Sequence, residues 1–197
     1  MFAVLLDNLR KLNNVMRWSN EFLHRRASVA EHSFCVAQIA QMLGFIEESL
    51  GNSVDWKLLY RKALNHDVPE AVVGDVISTT KNVNQDIHST IKKVEALLVE
   101  DMISGLAEPF RSEYRTVFFD GKDESTEGKI LAAADNIDAL IECIQEIKLS
   151  NTVPFAEKYN TIKDKIEKIP LASADYFIKE ILPSLAGDPA VKSKQNE

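Results

Sequence analysis

From Lys129 to Leu149 the chain has neither glycine nor proline, and apolar residues return at helical intervals, so one long helix is dictated there. The same rhythm recurs almost everywhere else. Phe2, Leu5, Leu6, Leu9 and Leu12 share one helical face. Ser28-Val29-Ala30-Glu31 is a capping box, and the helix it opens should run to about Leu50, with Val29, His32, Val36, Ile39 and Leu43 on one side. Gly51-Asn52-Ser53 ends it, and Trp56, Leu59, Tyr60, Ala63 and Leu64 mark a third helix. Further helices are marked by Ile87, Ile91, Val94 and Leu98, and by Phe110, Tyr114, Val117 and Phe118. Pro154 falls in the first turn of another, bearing Phe155, Tyr159, Ile162 and Ile166. Tyr176, Phe177, Ile181 and Leu182 belong to the last. The one β-like run, Val76-Ile77-Ser78-Thr79-Thr80, is too short for a sheet and reads as a loop. The expectation is an all-α, single-domain helical bundle over residues 1–197, with a frayed polar tail from 187 to 197.

A chain of 197 residues, 45% of them apolar, can bury about 70% of its unfolded surface and needs no disulfide to fold. Lys+Arg 23 against Asp+Glu 30 gives −7, which disfavours nucleic acid and anionic lipid as partners. No apolar run approaches the ~20 residues of a membrane span. The opening Met1-Phe2-Ala3-Val4 has no basic leader, so no secretory signal is expected. Cys35 and Cys143 lie in apolar-periodic stretches and read as buried free thiols in a reducing compartment. The expected setting is cytoplasmic.

The informative residues are polar ones on apolar faces. His32 lies on the buried stripe of its helix, where a lone histidine is more often a satisfied core residue than a ligand. His66-Asp67 is weak evidence alone. Asp135 interrupts the apolar run Leu131-Ala132-Ala133-Ala134, where a buried carboxylate is costly unless paired or bound to a cation. Taken together, His32, His66, Asp67 and Asp135 occupy different helices or helix ends, which is how helical proteins build metal sites from facing side chains. Two imidazoles and two carboxylates suit Mn²⁺, Fe²⁺, Co²⁺ or Ni²⁺ better than a thiolate zinc site would.

The order His32, His66-Asp67, Asp135, with Arg17-Trp18 before it and Glu70 and Gly74-Asp75 within it, resembles the HD-domain metal-dependent phosphohydrolases. It is most similar to their bacterial 5′-deoxynucleotidase branch. The resemblance spans residues 17 to 135 and implies an HD-type helical fold. It implies that His32, His66, Asp67 and Asp135 hold one divalent metal ion, Co²⁺, Mn²⁺ or similar. It further implies that Arg17 and Trp18 shape a nucleotide pocket, that Glu70 and Asp75 stand behind the ligands, and that the loop Asp75, Val76, Ile77 and Ser78 lines the substrate, with Asp67 and Asp135 also facing it. The implied reaction releases phosphate from deoxyribonucleoside 5′-monophosphates, and the implied assembly is a homodimer. Ile77-Ser78-Thr79 departs from the Pro-Thr-Pro-like segment of that family, which weakens the transfer of sugar and base contacts.

The residues support this chemistry independently. A bound divalent cation acidifies water and polarises a phosphoryl oxygen. Glu70 follows Asp67 by one helical turn and is a candidate to accept a proton, to orient water or to contact the sugar; an exposed first-turn glutamate is the plain alternative. Asp75, after a glycine, is a candidate acid for the leaving oxygen or a partner for a sugar hydroxyl, or simply a turn residue. Arg17 offers a planar fork for phosphate, and Trp18 a flat wall for sugar or base. Lys81 and His88 read as surface, and His24-Arg25-Arg26 as a solvated basic cluster. No Gly-x-x-x-x-Gly-Lys loop or dinucleotide fingerprint occurs. The competing readings are a triphosphate or signalling-nucleotide phosphohydrolase of the same fold, and a non-catalytic helical interaction module.

Overall fold

The computed structural model describes residues 2–81 and 83–187, so the tail expected to fray lies, apart from Gly187, outside the described residues. Eleven α-helices and one π-helical turn occur among them. They are α1 (Ala3–Lys11), α2 (Val29–Ser49), α3 (Trp56–Asn65), α4 (Glu70–Val73), α5 (Ser78–Lys81), α6 (Gln85–Ile103), α7 (Phe110–Phe119), α8 (Thr126–Lys148), α9 (Thr152–Glu167), α10 (Ala172–Tyr176), the π-turn Phe177–Ile181 and α11 (Leu182–Ala186). No strand forms among the described residues; one isolated antiparallel bridge joins Met16 and Ser28. The expected loop at Val76–Thr80 contains the helical turn α5, closed by Lys81 N–H donating to the Ile77 carbonyl at 3.1 Å.

Chain contacts gather the residues into two compact units, each made from two separated stretches. The first holds Met1–Phe34 and Leu64–Gly121, the second Cys35–Ala63 and Lys122–Glu197. In the first, Leu5, Leu12, Val29, Val68, Ala71, Val99, Met102, Ile103, Leu106 and Phe118 form one core. Full burial of each of these side chains other than Ala71 contributes about 1.5–3 kcal/mol before chain entropy is charged against it. In the second, α8 packs along α9 and presents Ile130, Leu131, Ile137, Leu140 and Cys143 at 0% exposure. Ser125 caps α8 by accepting from Gly128 N–H at 3.0 Å. Only glycine fits at 128, because a Cβ there would lie 2.6 Å from the Asp123 backbone.

Two expectations need correction, and one helix needs a closer look. Cys35 is exposed, since it falls beside rather than on the stripe Val29-Val36-Ala40-Leu43; Cys143 is buried as expected. On α6 the stripe turned inward is Glu95, Val99, Met102 and Ile103, while Val94 and Leu98 are exposed, so the buried face is rotated by one residue. Finally, α2 by length and composition alone could cross a membrane, with a window of mean hydropathy 1.2. Its apolar residues Val29, Val36, Ala40 and Leu43 are buried within the protein and it also buries His32, which is the pattern of a core helix.

Candidate metal centre

The site is built in the first unit, beginning with how α2 starts. Ser28 N–H donates to Glu31 Oε2 at 2.7 Å and Glu31 N–H donates to Ser28 Oγ at 3.2 Å, the reciprocal capping box read from the sequence. Two further N–H groups of this first turn are satisfied by the chain behind it: Val29 donates to the Val15 carbonyl at 2.8 Å and Ala30 to the Leu12 carbonyl at 3.2 Å. This fixes the rotation of α2 and turns His32 inward, at 1% exposure. The same backbone pairing closes the neck of the loop 17–27, where Arg17 N–H donates to the Ala27 carbonyl at 3.1 Å. At the head of that loop Trp18 adopts φ +53°, a left-handed conformation costly for an aromatic residue and held by Glu21 N–H donating to its carbonyl at 2.9 Å. Arg17 and Trp18 are both half-buried.

His66 and Asp67 follow α3 directly, in a turn anchored by buried Val68. Glu70 N–H then donates to the Asp67 carbonyl at 3.0 Å and opens α4 after Pro69. Gly74 ends that helix at φ +80°, its N–H donating to the Glu70 carbonyl at 2.9 Å. A left-handed residue is required there, and it redirects the chain into half-buried Asp75, Val76 and Ile77. The side chain of Ser78 lies outside the described residues.

These turns bring three donor atoms into a near-equilateral triangle. His32 Nε2 lies 3.4 Å from His66 Nε2 and 3.3 Å from Asp67 Oδ2, and His66 Nε2 lies 3.2 Å from the same oxygen. Bonds of about 2.1 Å to a shared ion separate neighbouring ligands by roughly 3.0–3.4 Å, so the triangle has the dimensions of one face of a coordination sphere. Two imidazole nitrogens and one carboxylate oxygen also match the facial arrangement used for divalent transition metals. The donor set therefore fits a metal ion.

Charge around the triangle is arranged unevenly. Burial pushes the Glu70 carboxyl up to about 8 from its ordinary 4.5, and the negative charges of Asp67 and Asp75 reinforce the rise; Lys81 and Arg17 oppose it. Lys81, expected at the surface, is only 26% exposed, with its Nζ 3.7 Å from Glu70 Oε1 and 3.7 Å from Glu95 Oε1. Glu95 is a buried acid that the sequence reading missed. Its signal was present, because it lies one turn before Val99 on the stripe that α6 turns inward.

Asp135 lies in the second unit, on α8 between buried Ala134 and half-buried Asn136. Its carboxylate is 23% exposed and forms an ion pair with Lys122. His32, His66 and Asp67 thus converge in a group that could hold a metal ion, and the charges of Asp67, Asp75, Lys81 and Arg17 act on Glu70 one turn beyond Asp67.

Comparison with known proteins gives a consistent result. The family model described as 5′-deoxynucleotidase YfbR-like matches residues 4–185. A 5′-deoxynucleotidase of Shewanella oneidensis is 28% identical over 91% of this chain and 92% of its own length. Another from Vibrio vulnificus is 28% identical over 90% and 91%. Among solved structures, an HD-domain phosphohydrolase of Listeria innocua is 37% identical with a TM-score of 0.84, covering 95% of this chain and 90% of that one. A cyanophage S-2L HD phosphohydrolase, solved with dA and one catalytic Zn²⁺, shares the fold at TM-score 0.59 and 14% identity, covering 91% and 95% of the two chains. With the match running nearly from end to end and the ligand triangle in place, the chain belongs to the 5′-deoxynucleotidase YfbR-like family and is a metal-dependent phosphohydrolase of the HD-domain fold.

Proposed function

We propose that this phosphohydrolase is a 5′-deoxynucleotidase, converting deoxyribonucleoside 5′-monophosphates to deoxyribonucleosides and phosphate. The observation that carries the reading is the His32–His66–Asp67 triangle with the buried carboxyl of Glu70 one turn away, in a chain whose relatives bear that name. In this reading His32, His66, Asp67 and Asp135 hold one divalent cation, Co²⁺ or Mn²⁺ being favoured by the mixed nitrogen and oxygen set. Such a cation, when bound, neutralises charge on the phosphoryl oxygens and lowers the pKa of water.

The chain's own groups do the rest. The Arg17 guanidinium takes the phosphate as a planar fork, and Trp18, fixed in its left-handed backbone geometry, walls the sugar and base. Glu70, whose affinity for a proton is raised by burial and its acidic neighbours, accepts in its ionised form the proton that the attacking water loses as its oxygen bonds to phosphorus. The P–O5′ bond breaks and the leaving oxygen takes up a proton from solvent water. Asp75, aimed by Gly74, orients the sugar hydroxyl, and Val76, Ile77 and Ser78 line the sugar. We place the enzyme in the cytoplasm as a homodimer whose residues 1–197 work as one domain. Its charge of −7 supports a small nucleotide rather than nucleic acid or a membrane as partner.

The test is a phosphate-release screen of all deoxy- and ribonucleoside monophosphates with Co²⁺, Mn²⁺ and Mg²⁺ in turn. Free phosphate from the deoxy series is the expected result. Pyrophosphate or triphosphate release from nucleoside triphosphates would move the chain to the triphosphate or signalling-nucleotide class. No turnover with any metal would make it a non-catalytic interaction module.

A further inference from the structure

The buried acid Glu95 has no part in the reaction as described, and its surroundings explain why it is there. Its side chain is 9% exposed on α6, a depth at which an ionised carboxylate must be matched by cations. Both of its oxygens are used. Glu95 Oε2 receives Lys92 Nζ at 2.7 Å, and Oε1 faces Lys81 Nζ at 3.7 Å. Lys92 is 62% exposed and approaches from outside, whereas Lys81 is 26% exposed and reaches inward from α5. The second contact of Lys81 is Glu70 Oε1, also at 3.7 Å. Basic and acidic groups therefore alternate through successive contacts: Lys92, Glu95, Lys81, Glu70.

We propose that Lys81, held from behind by Glu95, is a positioning residue that sets where the Glu70 carboxylate stands during phosphoester hydrolysis. Glu70 sits on a helix of one turn and faces the like charges of Asp67 and Asp75, so nothing on its own element keeps its side chain in place. Lys81 supplies the opposing pull. It also belongs to the turn that follows Asp75, Val76 and Ile77, so one ammonium ties that turn to Glu70 and to α6. Without the Lys81 charge, Arg17 is the one remaining side-chain cation among the described residues that opposes the rise at Glu70. Displacement of a group that must meet the reacting atoms lowers turnover far more than it lowers binding.

The inference rests on Glu70 as the group that moves the proton, and the experiment separates the two claims. Steady-state phosphate release from deoxyadenosine monophosphate with Co²⁺ is measured for Lys81→Met, Lys81→Arg, Glu95→Gln, the Lys81→Met/Glu95→Gln double variant, Glu70→Gln and, as a surface control on α6, Lys93→Met. Melting temperature and bound metal are measured for each. Lys81→Met should lower kcat roughly tenfold or more while KM stays within about twofold, with metal content and melting unchanged. Lys81→Arg should restore most of kcat, Glu95→Gln should lose several-fold, and the double variant should be about as slow as Lys81→Met alone. Wild-type kcat in Lys81→Met beside an inactive Glu70→Gln would overturn the positioning role alone. Full turnover in Glu70→Gln would overturn the reading beneath it and the proposal together. A kcat loss in Lys81→Met that tracks lost metal or lost fold would make the lysine merely structural and sink the proposal.

Discussion

Both compact units bury carboxylates, and they satisfy them in opposite ways. In the second unit Glu47 accepts the Ser173 N–H at 2.6 Å and the Asn52 side-chain amide at 2.6 Å. Glu127 accepts the Asp55 N–H at 2.8 Å, and Glu146 the Asn151 amide at 2.8 Å. Each of these acids is matched to donors at a helix end or turn, so its burial is compensated locally. In the first unit Asp67 shares one oxygen with two imidazole nitrogens, and Glu70 is surrounded by further acids with Lys81 and Arg17 in opposition. The contrast shows in their acidities. In the second unit even the exposed Asp123 is held down to about 2 by hydrogen bonds from Lys62 and Ser125, while in the first burial and like charge push Glu70 up to about 8. Acids turned toward N–H groups finish a fold; acids and imidazoles turned toward one another leave room for a cation.

The contrast breaks first, if it is wrong, at Asp67. Asp67→Ala should abolish measurable phosphate release, a loss of roughly a hundredfold or more, and empty the metal site with helicity retained. Parallel metal analysis and circular dichroism check this, and unchanged turnover would remove the site assignment.

Stability against pH should differ in sign between the two acids. Glu70 has a folded value above its ordinary 4.5, so in the metal-free chain its contribution is greatest below 4.5 and shrinks as pH rises toward about 8. Asp123 has a depressed value, so its contribution is present above 3.8 and lost as pH falls through about 2. Urea melts of metal-free Glu70→Gln should therefore be flatter than wild type between pH 4.5 and 8. Equal slopes would remove the distinction.

Glu47→Ala should act on the fold and leave the chemistry alone. Orphaning the Ser173 N–H and the Asn52 amide should lower stability by about 1–3 kcal/mol, with kcat per folded molecule unchanged. A changed kcat at full folding would show that the structural acids are not separate from the site. The smallest expected effect sharpens the boundary between the two roles. Ser28→Ala removes a cap worth about 1 kcal/mol and frays the turn that aims His32, so stability should fall modestly and metal affinity with it. Equilibrium unfolding and metal titration on one preparation separate the two.

The capping box at Ser28 and Glu31, the long uninterrupted helix of α8 and the glycine stop at Gly51 are short-range features, and each was legible in the residues. So were His32 and His66-Asp67, because a histidine on a buried stripe and a His-Asp step at a helix end are anomalies of local pattern. Cys35 and α6 were misread for one physical reason: a helical stripe fixes which residues share a face but leaves its rotation against the core open by one position. That rotation depends on neighbours far away in sequence. Glu95 illustrates it, since it turns inward with Val99, Met102 and Ile103 and there meets Lys81, which arrives from another element.

The sequence by itself determined that this protein would be helical, where its longest helices lie, and which residue types were available to hold a metal ion. Those properties follow from hydrogen bonds and side-chain spacing within a few residues. Only the tertiary structure decided that His32, 34 residues before His66, would bring its ring nitrogen to 3.4 Å from that histidine's. It alone decided that a lysine expected in solvent would stand between two acids, because distances across elements are set by core packing, which no local spacing encodes.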